Sequence, residues 1–191
     1  MAKVITGLKN PHVAKLTKDD ATGATYDVPK RLAKAIEATV SRNASNAVLY
    51  ADNGADEVGT AVGVIEVEMS INELTTEMQA LLLGHSVNED GVLIKTVNDK
   101  APYFALLFEG TNSDESSKMV ALYKGKFMVP DDSYKTKGDS TEFQTPSIKG
   151  IFIRRTFDDR YEANVQSADT NVDPTVVANW FKSVYGEVVS A

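Results

Sequence analysis

The chain has 191 residues, with 20 Lys and Arg against 27 Asp and Glu, a net charge of −7, two His, one Trp and no Cys. A single domain of this length builds its own core, and the absence of Cys excludes disulfide frameworks, thiolate nucleophiles, iron–sulfur clusters and Cys-type zinc sites. A pI near 4.9 argues against a duplex-binding module, because phosphate affinity rests on a positive footprint.

Residues 1–10 contain Lys3 and Lys9 but no apolar stretch of signal-peptide length, so the protein is expected to stay in the compartment where it is made. The sequon at Asn43-Ala44-Ser45 is then a chance match. The longest apolar runs, 80–83 and 103–108, are too short to span a bilayer. Charge is segregated along the chain: residues 1–42 carry a net +4, residues 43–117 a net −11, and residues 118–191 balance. Such a chain can present one basic and one acidic surface, as head-to-tail contact between copies requires.

The first strand is expected over 34–42, where Ile36, Ala38 and Val40 alternate. Residues 43–61 are polar and Gly-containing, with a short strand at 47–51, and are read as a long loop. The clearest strand is 64–71: Ile65, Val67, Met69 and Ile71 occupy one face, Glu66, Glu68 and Ser70 the other. A helix follows over about 73–83, with Leu74, Met78, Leu81 and Leu82 on one face, Asn72 as N-cap and Gly84 as left-handed C-cap. It should lie across an open sheet face. His85 then sits where an imidazole can bond the free carbonyls of that helix.

Further strands are expected at 92–97, 103–109, 118–129, 148–156 and 161–167, divided by the turn residues of 52–54, 90–91, 99–102, 112–117 and 158–159. Residues 130–146 form a second long polar loop, and loops of this length are rarely kept without a use. A last helix starts at Asp173-Pro174, aligns Val177, Trp180, Phe181 and Val184 in one stripe, and stops at Gly186. The stripe reads as core or subunit interface. Seven or eight strands with two helices define a mainly β domain, a sandwich or barrel.

The search for chemistry is mostly negative. No phosphate-binding loop, dinucleotide fingerprint, nucleophile elbow or H-E-x-x-H is present, and His12 and His85 lie 73 positions apart. Glu66 and Glu68 read as a solvated strand face rather than a glycosidase pair. The stretches 52–57 and 88–91 lack the twelve-residue spacing of a calcium loop and read as turns. The sequence calls for no cofactor, no metal and no catalytic residue.

Several short segments, in this order, carry a resemblance: Gly7-Leu8-Lys9-Asn10, Thr25-Tyr26, Tyr50-Ala51-Asp52-Asn53-Gly54, Leu81-Leu82-Leu83-Gly84, Ala101-Pro102-Tyr103-Phe104-Ala105 and Tyr123-Lys124-Gly125-Lys126-Phe127. Their order and spacing resemble the major tail proteins, or tail tube proteins, of long-tailed bacteriophages. The resemblance implies a single tail-tube-type β-sandwich or barrel over 1–191, with a flanking helix and a C-terminal helix. It further implies hexameric rings stacked into a tube through which DNA leaves the capsid.

On that basis Glu66 and Glu68 are candidate lumen-facing residues, since carboxylates repel phosphates. The loops 43–61 (Tyr50, Asp52, Asn53) and 130–146 (Tyr134, Lys135, Lys137) are candidate inter-subunit contacts. The implied partners are further copies of the chain, the tape-measure, tail-terminator and distal-tail proteins of a phage, and DNA in passage. The implied location is the virion, after synthesis in the bacterial cytoplasm. Competing readings are a ring protein of a contractile injection system, a small-molecule-binding β-barrel and a carbohydrate-active enzyme.

Overall fold

A computed structural model describes residues 3–51, 54–130, 135–136 and 144–188. Its strands are β1 (Ile5–Asp20), β2 (Gly23–Tyr26), β3 (Lys30–Arg31), β4 (Ala35–Ala51), β5 (Gly54–Ile71), β6 (Ser86–Val87), β7 (Leu93–Ile94), β8 (Phe104–Asn112), β9 (Ser117–Phe127), β10 (Ser147–Ile153) and β11 (Glu162–Gln166). The helices are α1 (Thr76–Leu83) and α2 (Pro174–Asn179). The main sheet runs β2-β1-β8-β9-β10-β5-β4, antiparallel throughout. β9 serves two neighbours on one edge, β10 along 124–127 and β11 along 118–122.

The sheet folds over to form a β-sandwich around a core that draws Val13 from β1, Ile65, Val67 and Met69 from β5, and Phe104, Leu122, Phe127 and Phe152 from β8, β9 and β10. α1 closes this core through Leu82 and Leu83. On the other face of β8 and β9, Ala105, Leu107, Ala121 and Tyr123 pack against Trp180 and Val184 of the C-terminal segment. β8 is therefore buried on both faces, which explains why residues 103–108 form an unbroken apolar run. At Gly125 an added Cβ would lie 2.3 Å from the Phe152 ring, so the aromatic core depends on the missing side chain there.

Several expectations need correction. The segment 43–61 is not a loop: β4 continues to Ala51, β5 begins at Gly54, and the two pair from Ala44↔Val62 to Ala51↔Gly54. The side chains of this hairpin that are described, at 43, 44, 48, 57, 59 and 61, are exposed on both strands, so they show none of the alternation that marks a packed strand. The long β1 was not expected at all. Asn10, at φ 55°, and Pro11 interrupt it, and the register with β8 shifts between Lys9 and His12, so one strand reads as two short non-periodic pieces.

The expected strand at 92–97 contracts to β7, paired with β6 in a separate two-stranded sheet. The N-cap of α1 is Thr75, whose hydroxyl accepts from the Met78 amide, while Asn72 accepts from the Lys34 amide. Gly84 has φ 73°, and its amide donates to the Ala80 carbonyl as the C-cap requires. The helix expected to run to Gly186 ends at Asn179; tighter turns carry the chain on to Gly186, at φ 72°. Asp173 caps its first turn, and the expected stripe supplies Trp180 and Val184 to the core.

Candidate assembly surfaces

The polar face of β5 is exposed as its alternation requires. Glu66 accepts from the Asn43 side-chain amide at 3.0 Å. Glu68 accepts from Ser147 at 3.2 Å and lies 3.5 Å from the Lys149 ammonium. Register places Thr39 and Ser41 of β4 beside them, and Lys149 and Ile151 of β10 on the other side. The face is thus acidic on β5, neutral at Thr39 and Ser41 of β4, and carries a cation on β10. That neighbour follows from strand pairing, which local sequence does not reveal.

Beyond this face β4 and β5 leave the sandwich as an arm. At the base of the arm the Arg42 guanidinium of β4 donates a fork of 2.8 and 2.7 Å bonds to Glu162 of β11. One residue further, the β4–β5 register shifts between Arg42 and Ala44, and Gly63 lies so close to β4 that an added Cβ would stand 2.8 Å from the Asn43 carbonyl oxygen. β10 pairs β5 only from Ile65 onward, and β4 ends the sheet. Hence the arm, residues 43–51 and 54–62, has unpaired backbone on both outer edges among the described residues.

Of the expected inter-subunit residues, the backbone of Tyr50 lies in β4 opposite Ala55. Asp52, Asn53, Tyr134 and Lys137 lie outside the described residues. Lys135 is exposed, its amide donating to the Gln144 side chain and its carbonyl accepting from it, both at 3.2 Å.

The histidines take structural positions. His12 Nδ1 lies 2.9 Å from the Asn10 carbonyl, and its ring is 4.8 Å from that of Phe181. His85 does not bond the carbonyls of α1 as expected. Its Nδ1 lies 2.6 Å from Asp99, whose carboxyl is held down to about 2 by the Thr96 hydroxyl and amide and then by His85. A fixed anion within reach outcompetes weak helix-end carbonyls.

Sequence reasoning missed a buried ionic node. Arg155, fully buried, donates two 2.6 Å bonds to Asp158 and one of 2.9 Å to the Gly186 carbonyl, and its guanidinium lies 4.2 Å from the centre of the Tyr123 ring. Arg155 holds the Asp158 carboxyl below its ordinary range. Nearby, burial would raise the Asp19 carboxyl, but Lys124 and the Thr156 and Phe157 amides together lower it. These two carboxylates tie the β10–β11 turn and the C-terminal segment to the body.

A groove of about 640 Å3 opens between the base of the arm and the β10–β11 turn. Its cations are already engaged: Lys124 with Asp19, Arg154 with Asp159, Arg155 with Asp158. Among the described residues no group of three His, Cys, Asp or Glu is placed to hold a metal ion, and no helix is long and apolar enough to cross a membrane.

A two-cored β-sandwich that projects a long hairpin with open edges belongs to the class of structural subunits whose surfaces, rather than a pocket, carry their role. The family model described as phage tail tube protein matches residues 35–150, more than half of the chain, from the start of β4 into β10. The chain belongs to the phage tail tube protein family. It is a structural subunit that self-assembles into a tube within a phage tail, and its place is the virion. No curated protein matches the chain.

Proposed function

We propose that the chain forms hexameric rings that stack into a tube and conduct DNA during ejection. The observation that carries this reading is the open-edged arm. An isolated two-stranded hairpin is marginally stable in water, and exposed edges are a pairing hazard that proteins normally block. A ring removes both difficulties by letting each subunit complete the sheet of its neighbour, and heterologous contacts that close give such a ring. The segment 130–146, which contains Tyr134, Lys135 and Lys137, makes the contacts between neighbouring subunits or rings. At its ends the tube meets the tail-terminator and distal-tail proteins, and inside it the tape-measure protein.

In this reading the face of Glu66 and Glu68 lines the lumen. From residue 43 to residue 94 the chain has nine carboxylates and no Lys or Arg. DNA therefore passes a wall that offers no counterion-release affinity. Lys149 offsets Glu68, which leaves Glu66 as the stronger repulsive charge.

Electron microscopy of the purified protein at high concentration tests the assembly: six-fold rings or tubes are expected, and a persistent monomer would overturn it. The lining has a separate test. Glu66→Lys with Glu68→Lys should leave tubes intact while slowing DNA delivery by phage that carry them. Normal delivery through such tubes would remove these residues from the mechanism.

A further inference from the structure

We infer that the β6–β7 hairpin of one copy seats in the apolar groove between β1 and β4 of another, with Val92 and Ile94 inside the groove and Glu89 of the tip against Lys118. This rests on the tube reading and assigns one contact between its subunits, made by side-chain insertion and separate from the arm.

Between α1 and β8, residues 85–100 run outside the main sheet, and both their ends and their tip are fixed. At the neck Asp99 meets His85 and accepts from the Thr96 amide and hydroxyl, and a Cβ added at Gly84 would collide with the Lys100 carbonyl oxygen. At the tip the Val92 amide donates to the Asn88 side chain at 2.8 Å, and Gly91 takes φ 78°. The Asn88 amide donates to the Val92 carbonyl and so continues the β6–β7 ladder, which puts Val92 and Ile94 on one face. The strands have two residues each, and a lone hairpin is marginal in water. Even so, Val87, Val92, Ile94 and Val97 are all exposed. A fixed support that holds aliphatic side chains out in water marks a contact surface.

The groove, of about 460 Å3, lies where β1 and β4 approach without pairing. Leu8, Ala38, Val40, Phe108 and Val120 line it with apolar surface that belongs to the core. Each wall carries a register shift, between Ile5 and Gly7 on β1 and between Ala35 and Glu37 on β4, so the ladders skip Thr6 and Ile36. Such bulges re-aim side chains, and Ile5 and Ile36 stand exposed at the rim. Charge matches as well. Lys118 of the groove and Glu89 of the tip each lack an ionic partner within the chain among the described residues, and Glu37 on the β4 wall is matched by Lys95 beside Ile94. Every copy carries both halves, so a second copy covers both in each subunit along a tube, whereas a protein at the tube end would cover only the last. Two different patches on one chain make a heterologous contact, the kind that repeats from copy to copy.

The absence of native Cys makes a disulfide test clean. Full-length Ile36→Cys and Ile94→Cys proteins, both altered at exposed positions, are mixed, assembled and oxidised. The expected result is a covalent dimer from the mixture and none from either variant assembled alone. Tubes of the mixture without the dimer, or a dimer from one variant alone, would overturn the contact. Charge reversal gives a second readout by sedimentation. Lys118→Glu and Glu89→Lys should each raise the concentration needed for assembly about tenfold, since each sets like charges together, and the two changes in one chain should return it to within about threefold of wild type. A double variant as impaired as either single one would overturn the contact while leaving the tube reading intact. If the wild-type chain forms no rings or tubes, the tube reading falls and this contact with it.

Discussion

Replacing Asp158 with Ala is expected to cost about 3–5 kcal/mol, because it leaves a buried guanidinium without its carboxylate partner. Arg155 is fully buried and donates both of its 2.6 Å bonds to that one carboxylate. The Gly186 carbonyl and the Tyr123 ring remain, but neither carries a charge. Urea denaturation should show the midpoint falling sharply in Asp158→Ala. The double variant Arg155→Met, Asp158→Leu should recover much of the loss, since an apolar pair avoids the desolvation penalty. A midpoint within about 0.5 kcal/mol of wild type for Asp158→Ala would mean that the node is hydrated and contributes as a surface pair does.

The same experiment has a pH arm. Asp158 and Asp19 both titrate below the ordinary 3.8 in the folded chain. A depressed carboxyl contributes stability that is complete above its unfolded pKa and is lost as pH falls through the folded one. Wild-type stability should therefore decline from about pH 3.8 downward, and Asp158→Ala should show a shallower decline over that window.

The node also shows where local pattern stops being informative. Its parts come from β9, the β10–β11 turn and the C-terminal segment, and nothing near residue 155 announces that the Gly186 carbonyl will meet it. Legible features were those with a local cause. The alternation from Ile65 to Ile71 reported burial on one face, and Gly84 and Asp173-Pro174 marked helix ends by backbone chemistry. β1 was hidden because the kink at Asn10-Pro11 breaks the period. The arm is hidden because its described side chains are exposed, so they lack the alternation that burial writes into a sequence. The polar pair at Glu66 and Glu68 was legible as a surface, whereas Lys149 beside it was not, since register alone sets that neighbour.

Gly63→Ala should abolish tube formation while leaving the sandwich folded. Gly63 sits at the point where the β4–β5 register shifts, and its added Cβ would meet the Asn43 carbonyl oxygen at 2.8 Å. The obstacle is backbone on the paired strand, so relief requires the two strands to part or the bulge to move. Overpacking of this kind costs about 1–3 kcal/mol, but the larger consequence is geometric. The bulge sets the direction in which the arm leaves the body, and an angular error at its base is multiplied along about 30 Å of strand. A loss of about 1.4 kcal/mol at a subunit junction weakens that junction tenfold. Two junctions per subunit in a ring make the effect on assembly steeper still. Sedimentation across a concentration series measures it, with circular dichroism to confirm that the fold persists. Asn43→Ala is the control, since it removes the bond to Glu66 but leaves the carbonyl and the bulge in place; it should polymerise near the wild-type concentration. Should Gly63→Ala do the same, the base of the arm would be compliant, and the rigidity that aims it would have to come from the neighbouring subunit.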